Sequence, residues 1–272
     1  MSQSSAMPVS DAASPRIPVQ PIGLRMRLAH RVARYAPARR HAMRNDRPLV
    51  SFSFDDIPVS AAATGARMLE EAGVRGTFFV ATSLFGRSTD HWRVAEADSV
   101  AALARRGHEI GLHTHAHVPV VALDAAAFHS DMGECRRILS DLVPGRLLQN
   151  FAYPYGYASL VHRAILGLQA RSSRTTHPGV NAGRIDLHYL CSILLDRSMR
   201  NPADIDALIE RTIRQNGWLI FTTHDVDNPP SPYGCTPAIL EHALDAVRRR
   251  GVRIATIGEA LDLIGAPKAP HA

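Results

Sequence analysis

The chain is 272 residues and 29.7 kDa, with 46% hydrophobic, 21% charged and 6% aromatic residues; these proportions exclude a collagen-like, acidic-disordered or disulfide-stapled protein. No run approaches the roughly 18 consecutive apolar residues of a membrane span, the N-terminus lacks the apolar core of a secretory signal, and the three cysteines, Cys135, Cys191 and Cys235, are odd in number and far apart, so a reducing, cytoplasmic location is expected. The net charge of +6 is uneven: residues 1–47 hold nine arginines and two aspartates, or +7, which leaves −1 on the other 225 residues. A nucleic-acid groove would spread Lys and Arg across the folded body, so no nucleic acid is expected as a partner.

Residues 1–21 are rich in Ser, Ala and Pro without periodicity and read as disordered. In residues 22–44, Leu24, Leu28, Val32 and Tyr35 recur at helical spacing among Arg25, Arg27, Arg31 and Arg34. A basic amphipathic helix of this kind can lie peripherally on the anionic inner face of a membrane. Alternatively it packs on the body and leaves its arginines solvated. Residues 1–47 are thus expected to be a basic N-terminal segment, and 48–265 the folded domain.

From Pro48 strands and helices alternate. PLVSFSF (48–54), GTFFVA (76–81), HEIGLHT (108–114), NFAY (150–153), WLIFTT (218–223) and VRIATI (252–257) read as strands. Helices are expected at 59–73, 99–106, 124–143, near 158–168, from Asn201–Pro202 to Asn216–Gly217, from Thr236–Pro237 to Gly251, and at 258–264, with Asp124 as an N-cap and the prolines in first turns. Six or seven β-then-α units in one domain predict a distorted (β/α) barrel of about seven parallel strands.

Sites in such a fold form where the strands end. There the sequence places Asp55–Asp56, then His113, His115 and His117, then Pro154–Tyr155–Gly156, and finally His224–Asp225. Locally, an Asp pair can be a helix N-cap, the histidines a polar loop and Thr-His-Asp a structural turn. Together, two imidazoles and a carboxylate with open positions suit zinc or a similar divalent transition ion, whereas Mg²⁺ prefers oxygen ligands throughout.

In this order the motifs resemble those of the polysaccharide deacetylases of carbohydrate esterase family 4. SFDDI (53–57) matches the family's TFDDG, HTHAH (113–117) its H-[ST]-x-x-H, AYPY (152–155) part of its R-x-P-Y, and TTH (222–224) its L-x-H; GTFFVA and GHEIGLHTH (107–115) are also similar. The resemblance covers about residues 48–262. It implies that Asp56, His113 and His117 hold one divalent metal ion, Zn²⁺ first among the candidates, and that Asp55 is the general base. The backbone N–H of Tyr155 would stabilise the oxyanion, Pro154 and Tyr155 would contact substrate, and His224 would be the acid. An H-x-H pair of His113 and His115 would instead resemble amidohydrolase barrels. That motif follows the first strand, where this chain has a DD pair, so His113 and His117 are preferred and His115 is expected to point away.

Three departures accompany the resemblance. The family's first-motif glycine is Ile57, followed by Pro58. Its third-motif arginine is Ala152, with Arg171 and Arg174 as candidate substitutes. Its Asp–Trp pair beside the acid histidine has no evident match: neither Trp92 nor Trp218 lies in the right context, and Asp186 or Asp196 could supply the carboxylate. The activity implied is removal of N-acetyl groups from an N-acetylated glycan, in a bacterial envelope or exopolysaccharide pathway. A non-sugar amide or cyclic-imide hydrolase on the same metal platform, and a non-catalytic carbohydrate-binding protein, are the alternatives.

Overall fold

The computed structural model describes residues 23–36, 39–199 and 201–269. Its main sheet is entirely parallel. It contains β2 (Leu49–Asp55), β3 (Thr77–Val80), β4 (Glu109–Leu112), β5 (Asn150–Ala152), β6 (Ser172–Arg174), β8 (Ile193–Leu194), β9 (Trp218–Thr223) and β10 (Arg253–Ile254). Seven strands run in the order β6-β5-β4-β3-β2-β9-β8, and β10 pairs with Leu49 and Val50 of β2. The sheet curls until one stretch of chain reaches both of its ends: Leu190 bridges Arg174, while Ile193 and Leu194 pair with Phe221 and Thr222. This is the expected distorted (β/α) barrel.

Alternation within β2 sets the two sides of the wall. Val50, Phe52 and Phe54 face the core shared with the outer helices, where Phe54 stacks on Phe78 at 4.7 Å and Phe52 on Phe221 at 5.5 Å. Strand side chains alternate between faces, so Leu49, Ser51, Ser53 and Asp55 form the opposite row. Ser51 accepts the Trp218 indole N–H at 2.9 Å, and Ser53 meets the Thr222 hydroxyl at 2.8 Å. Asp55 stands at the open end of this row.

The outer layer consists of α2 (Ala66–Glu71), α3 (Ala97–Arg105), α4 (Ala125–Leu142), α5 (Leu160–Gln169), α6 (Pro202–Arg214) and α7 (Pro237–Arg249). Asp124, Ser159, Asn201 and Thr236 cap their helices as side-chain acceptors. Their apolar stripes, such as Phe128, Met132, Cys135 and Leu139 of α4, are buried. The helix expected at 59–73 opens as a π turn over Ala61–Gly65 before α2. A last helix, α8 (Ile257–Leu263), packs with Leu49 and Trp218 at the strands' N-terminal end.

Two short strands that the irregular stretch adds to the main sheet, β6 and β8, were not expected from the sequence, and the last strand pairs over only two of the six residues read as extended. The disorder expected for 1–21 lies outside the described residues. The described residues of the basic segment are joined to the body, because β1 (Arg40–Ala42) pairs antiparallel with β7 (Arg184–Asp186) and Asn45 donates to the Asn216 carbonyl at 2.9 Å. The amphipathic helix is α1 (Leu24–Tyr35). Its C-terminal carbonyls of Ala33 and Ala36 accept from the buried Arg163 guanidinium, which also pairs with Asp186. A cation at this end suits both the free carbonyls and the helix dipole. Among the described residues no helix is long and apolar enough to cross a membrane.

Candidate active site

The strand-end loops turn sharply. Asp56, Ile57, Thr114, His117 and Tyr155 all adopt positive φ, between 49° and 67°. Non-glycine residues rarely hold this conformation, and then at the expense of stability. Here it accompanies the gathering of Asp56, His117 and Tyr155, from three different loops, around one point.

At that point lie Asp56, His113 and His117, whose potential ligand atoms fall within 4.8 Å of one another. Asp56 Oδ1 is 3.0 Å from His117 Nε2 and 3.6 Å from His113 Nε2, yet it is buried without a hydrogen bond. His113 Nδ1–H donates to the Ala152 carbonyl at 2.8 Å, which leaves the Nε2 lone pair facing Asp56. Burial lowers both imidazoles to about 4; His224 adds to the effect at His117. Burial raises the Asp56 carboxyl, and Asp55 beside it acts in the same direction. His115 turns away, and its ring bonds the Thr82 hydroxyl at 2.9 Å.

Asp55 is buried against the Arg174 guanidinium. Burial alone would raise its carboxyl, but Arg174, with His113 and His224, outweighs that and holds it below the usual carboxylate range. Arg174 is the register partner of Ala152 on the adjacent strand and lies 4.9 Å over the Phe79 ring. The cation that the third motif lacks is thus present one strand away, on the same face at the same height. The other candidate, Arg171, pairs with Asp262 far from this point.

His224 follows β9. Its Nδ1–H donates to the Tyr233 carbonyl at 3.3 Å, and its ring stacks on Trp92 with centroids 5.1 Å apart. This corrects the reading of the third departure. Trp92 does flank the histidine, although it comes from an unexpected loop, whereas Trp218 lies inside the barrel. Neither Asp186, which binds Arg163, nor Asp196, which bonds Ser198, supplies a carboxylate. The loop that brings Trp92 is a tight reversal with a Ser88–Arg93 bridge, and the Thr89 hydroxyl accepts the amides of His91 and Trp92. Asp225 of Thr-His-Asp is structural, accepting the Ser231 amide at 2.7 Å.

Pro154 is buried, and Tyr155 beside it is partly exposed with its ring 4.9 Å from that of His117. Asp131 of α4 was not singled out by any motif. Its carboxylate accepts the backbone N–H groups of His115 and Ala116 at 2.7 and 2.9 Å, which fixes the histidine loop. These groups open into a cavity of about 450 Å³, lined by Asp55, Asp56, Trp92, Tyr155, Tyr157 and His224 among others. That volume is within the range of small-molecule sites.

The family model described as polysaccharide deacetylase matches residues 42–168. A chitin deacetylase from Arthroderma benhamiae is 24% identical over 78% of this chain; the chain spans about half (51%) of that relative's length. Among solved structures, one titled as T48 deacetylase with substrate aligns with a TM-score of 0.59 at 16% identity, covering 82% of this chain and 95% of that one. A family 4 acetyl xylan esterase from Clostridium thermocellum, in complex with a cobalt ion, gives 0.58 at 20% identity, with coverage of 82% and 95%. The family model and the curated relative support a divergent member of the polysaccharide deacetylase family, and the solved structures share its fold.

Proposed function

We propose that the chain hydrolyses the N-acetyl group of an N-acetylated sugar, in a polymer or a glycan precursor, with one divalent transition metal ion held by Asp56, His113 and His117. The observation that carries this reading is the buried, unbonded Asp56 Oδ1 facing two imidazole Nε2 atoms. Two neutral imidazoles and a carboxylate are the donor set of zinc and related ions, and the hydrogen bond from His113 to Ala152 fixes the tautomer such a ligand needs. An ion bound there would polarise the acetamide carbonyl and acidify water.

The remaining roles belong to the chain. Asp55, kept ionised by Arg174, takes the proton of the attacking water on the oxygen that Arg174 leaves free. The Tyr155 backbone N–H donates to the developing oxyanion, a contribution of about 2.7–4 kcal/mol for one such donor. His224, oriented through its Nδ1–H by the Tyr233 carbonyl and through its ring by Trp92, protonates the leaving nitrogen from Nε2. Water is thereby divided across the C–N bond, releasing acetate and a free amine. The three unpaired cysteines support a reducing compartment, with precursor glycans as substrates.

Elemental analysis of wild type beside His113→Ala, paired with acetate release from N-acetylglucosamine oligomers, tests the proposal. We expect about one equivalent of transition metal per chain, lost in His113→Ala together with activity, and metal retained without activity in Asp55→Asn. Ring-opening of small cyclic imides in place of acetate release would move the substrate class. Glycan retention without turnover, unchanged in Asp55→Asn, would identify a binding protein.

A further inference from the structure

The docking of α1 leaves uncovered the face that an amphipathic helix ordinarily buries. At 100° per residue, Met26, Ala29, His30 and Ala33 share one side of this helix, and Leu24, Leu28, Val32 and Tyr35 the opposite side. The first side meets the body. Ala33 is fully buried, His30 Nδ1 accepts the Ala158 N–H at 3.1 Å, and the His30 ring packs on those of Tyr157 and Tyr189. The second side is in solvent, with Leu24, Leu28, Val32 and Tyr35 exposed to 83, 60, 45 and 72%. Arg27, Arg31 and Arg34 are exposed along its flank, and the helix contains no acidic residue. Close by, α5 exposes Leu160 and Val161 in its own first turn.

We infer that this face of α1 docks the protein on an anionic lipid surface. An apolar stripe flanked by arginines matches the two layers of such a surface, acyl chains and phosphate headgroups. A second copy of the chain fits less well: the body is nearly neutral, and pairing two copies here would bring two +7 segments together. The position of the helix gives the docking a use. His30 touches Tyr157, and Tyr157 lines the cavity, so a surface that receives α1 lies one side chain away from the cavity wall. The docking itself is independent of the chemistry proposed for the site.

Sedimentation of the full chain with vesicles tests the inference. Vesicles of phosphatidylglycerol and phosphatidylcholine in equal parts should carry the protein down, and vesicles of phosphatidylcholine alone should not. Each arginine at the surface adds about fivefold to the affinity, so Arg27→Gln with Arg31→Gln should weaken binding about 25-fold. Added salt should act in the same direction. Leu28→Glu with Val32→Glu should abolish binding while leaving the circular dichroism spectrum and turnover of a soluble substrate unchanged, since both positions already face water. Wild type that ignores anionic vesicles, or binds them as well as the glutamate variant does, overturns the inference. So does a wild-type dimer in sedimentation velocity that the glutamate variant dissociates, because the occupant is then a second copy.

Discussion

Arg174 shows how a missing residue can be replaced across a sheet. Ala152 and Arg174 are register partners, and paired positions in parallel strands point to the same face, so a guanidinium from either reaches the same place beside Asp55. Arg174→Met should lower kcat about 100-fold by releasing the base from its position, with bound metal unchanged by elemental analysis. Combining Arg174→Ala with Ala152→Arg should restore much of the loss. If the double variant is no better than Arg174→Ala, the cation is not exchangeable between the strands. At this scale the sequence was legible wherever a motif is contiguous: Asp55, Asp56, His113, His117, Tyr155 and His224 gather at one rim. It was not legible for Trp92, which reaches His224 from a reversal far back in the sequence, or for Asp131, which reaches the histidine loop from the helix that follows it. Their spacing from the motif residues carries no period, and only the fold brings them near.

The elements behind the rim determine how firmly it is held. The histidine loop has two backbone N–H groups fixed by Asp131, a carboxylate on the rigid α4. Asp131→Ala should leave the helix intact and weaken zinc binding about 10–100-fold, the usual effect of removing a group that orients ligands; competition against a chelating dye would measure it. Unchanged affinity would show that the loop holds its shape unaided. The long helices and the apolar strands were legible because each buries one continuous face, such as the Phe128, Met132, Cys135 and Leu139 stripe of α4. Strand β6 was hidden because its residues, Ser172, Ser173 and Arg174, are polar and yet entirely buried. They bond Asn150, His188 and Asp55 rather than packing against apolar neighbours. Hydrophobic periodicity cannot reveal a strand whose inner face is a hydrogen-bond network.

The whole molecule contains several imidazoles buried uncharged, with a consequence for stability in acid. Burial lowers His188 to about 4, and it is fully enclosed, whereas in the unfolded chain it titrates near 6.5. Between those values the unfolded state binds a proton that the native state does not. Stability is therefore complete above about pH 6.5 and falls as the pH drops towards 4, by on the order of 3 kcal/mol from this residue. Urea midpoints at pH 7 and pH 5 should show the fall. In His188→Asn the pH slope should be shallower by about one proton; an identical slope would mean that the ring is charged in the native state.

Strand β2 is buried along its whole length, and one of its edges is covered by β9, whose Phe221 carbonyl accepts from the Ser53 hydroxyl 168 positions earlier. A ribosome adding about 5–20 residues per second needs roughly ten to thirty seconds to span that interval. Throughout it, the nascent chain carries LVSFSF with its β9 edge bare, an apolar ribbon able to pair with any other strand it meets. The final fold conceals this hazard completely. The growing polypeptide must survive it, and chains arrested before Trp218 should be retained by chaperones or lost to aggregation, whereas those arrested after Thr223 should stay in solution.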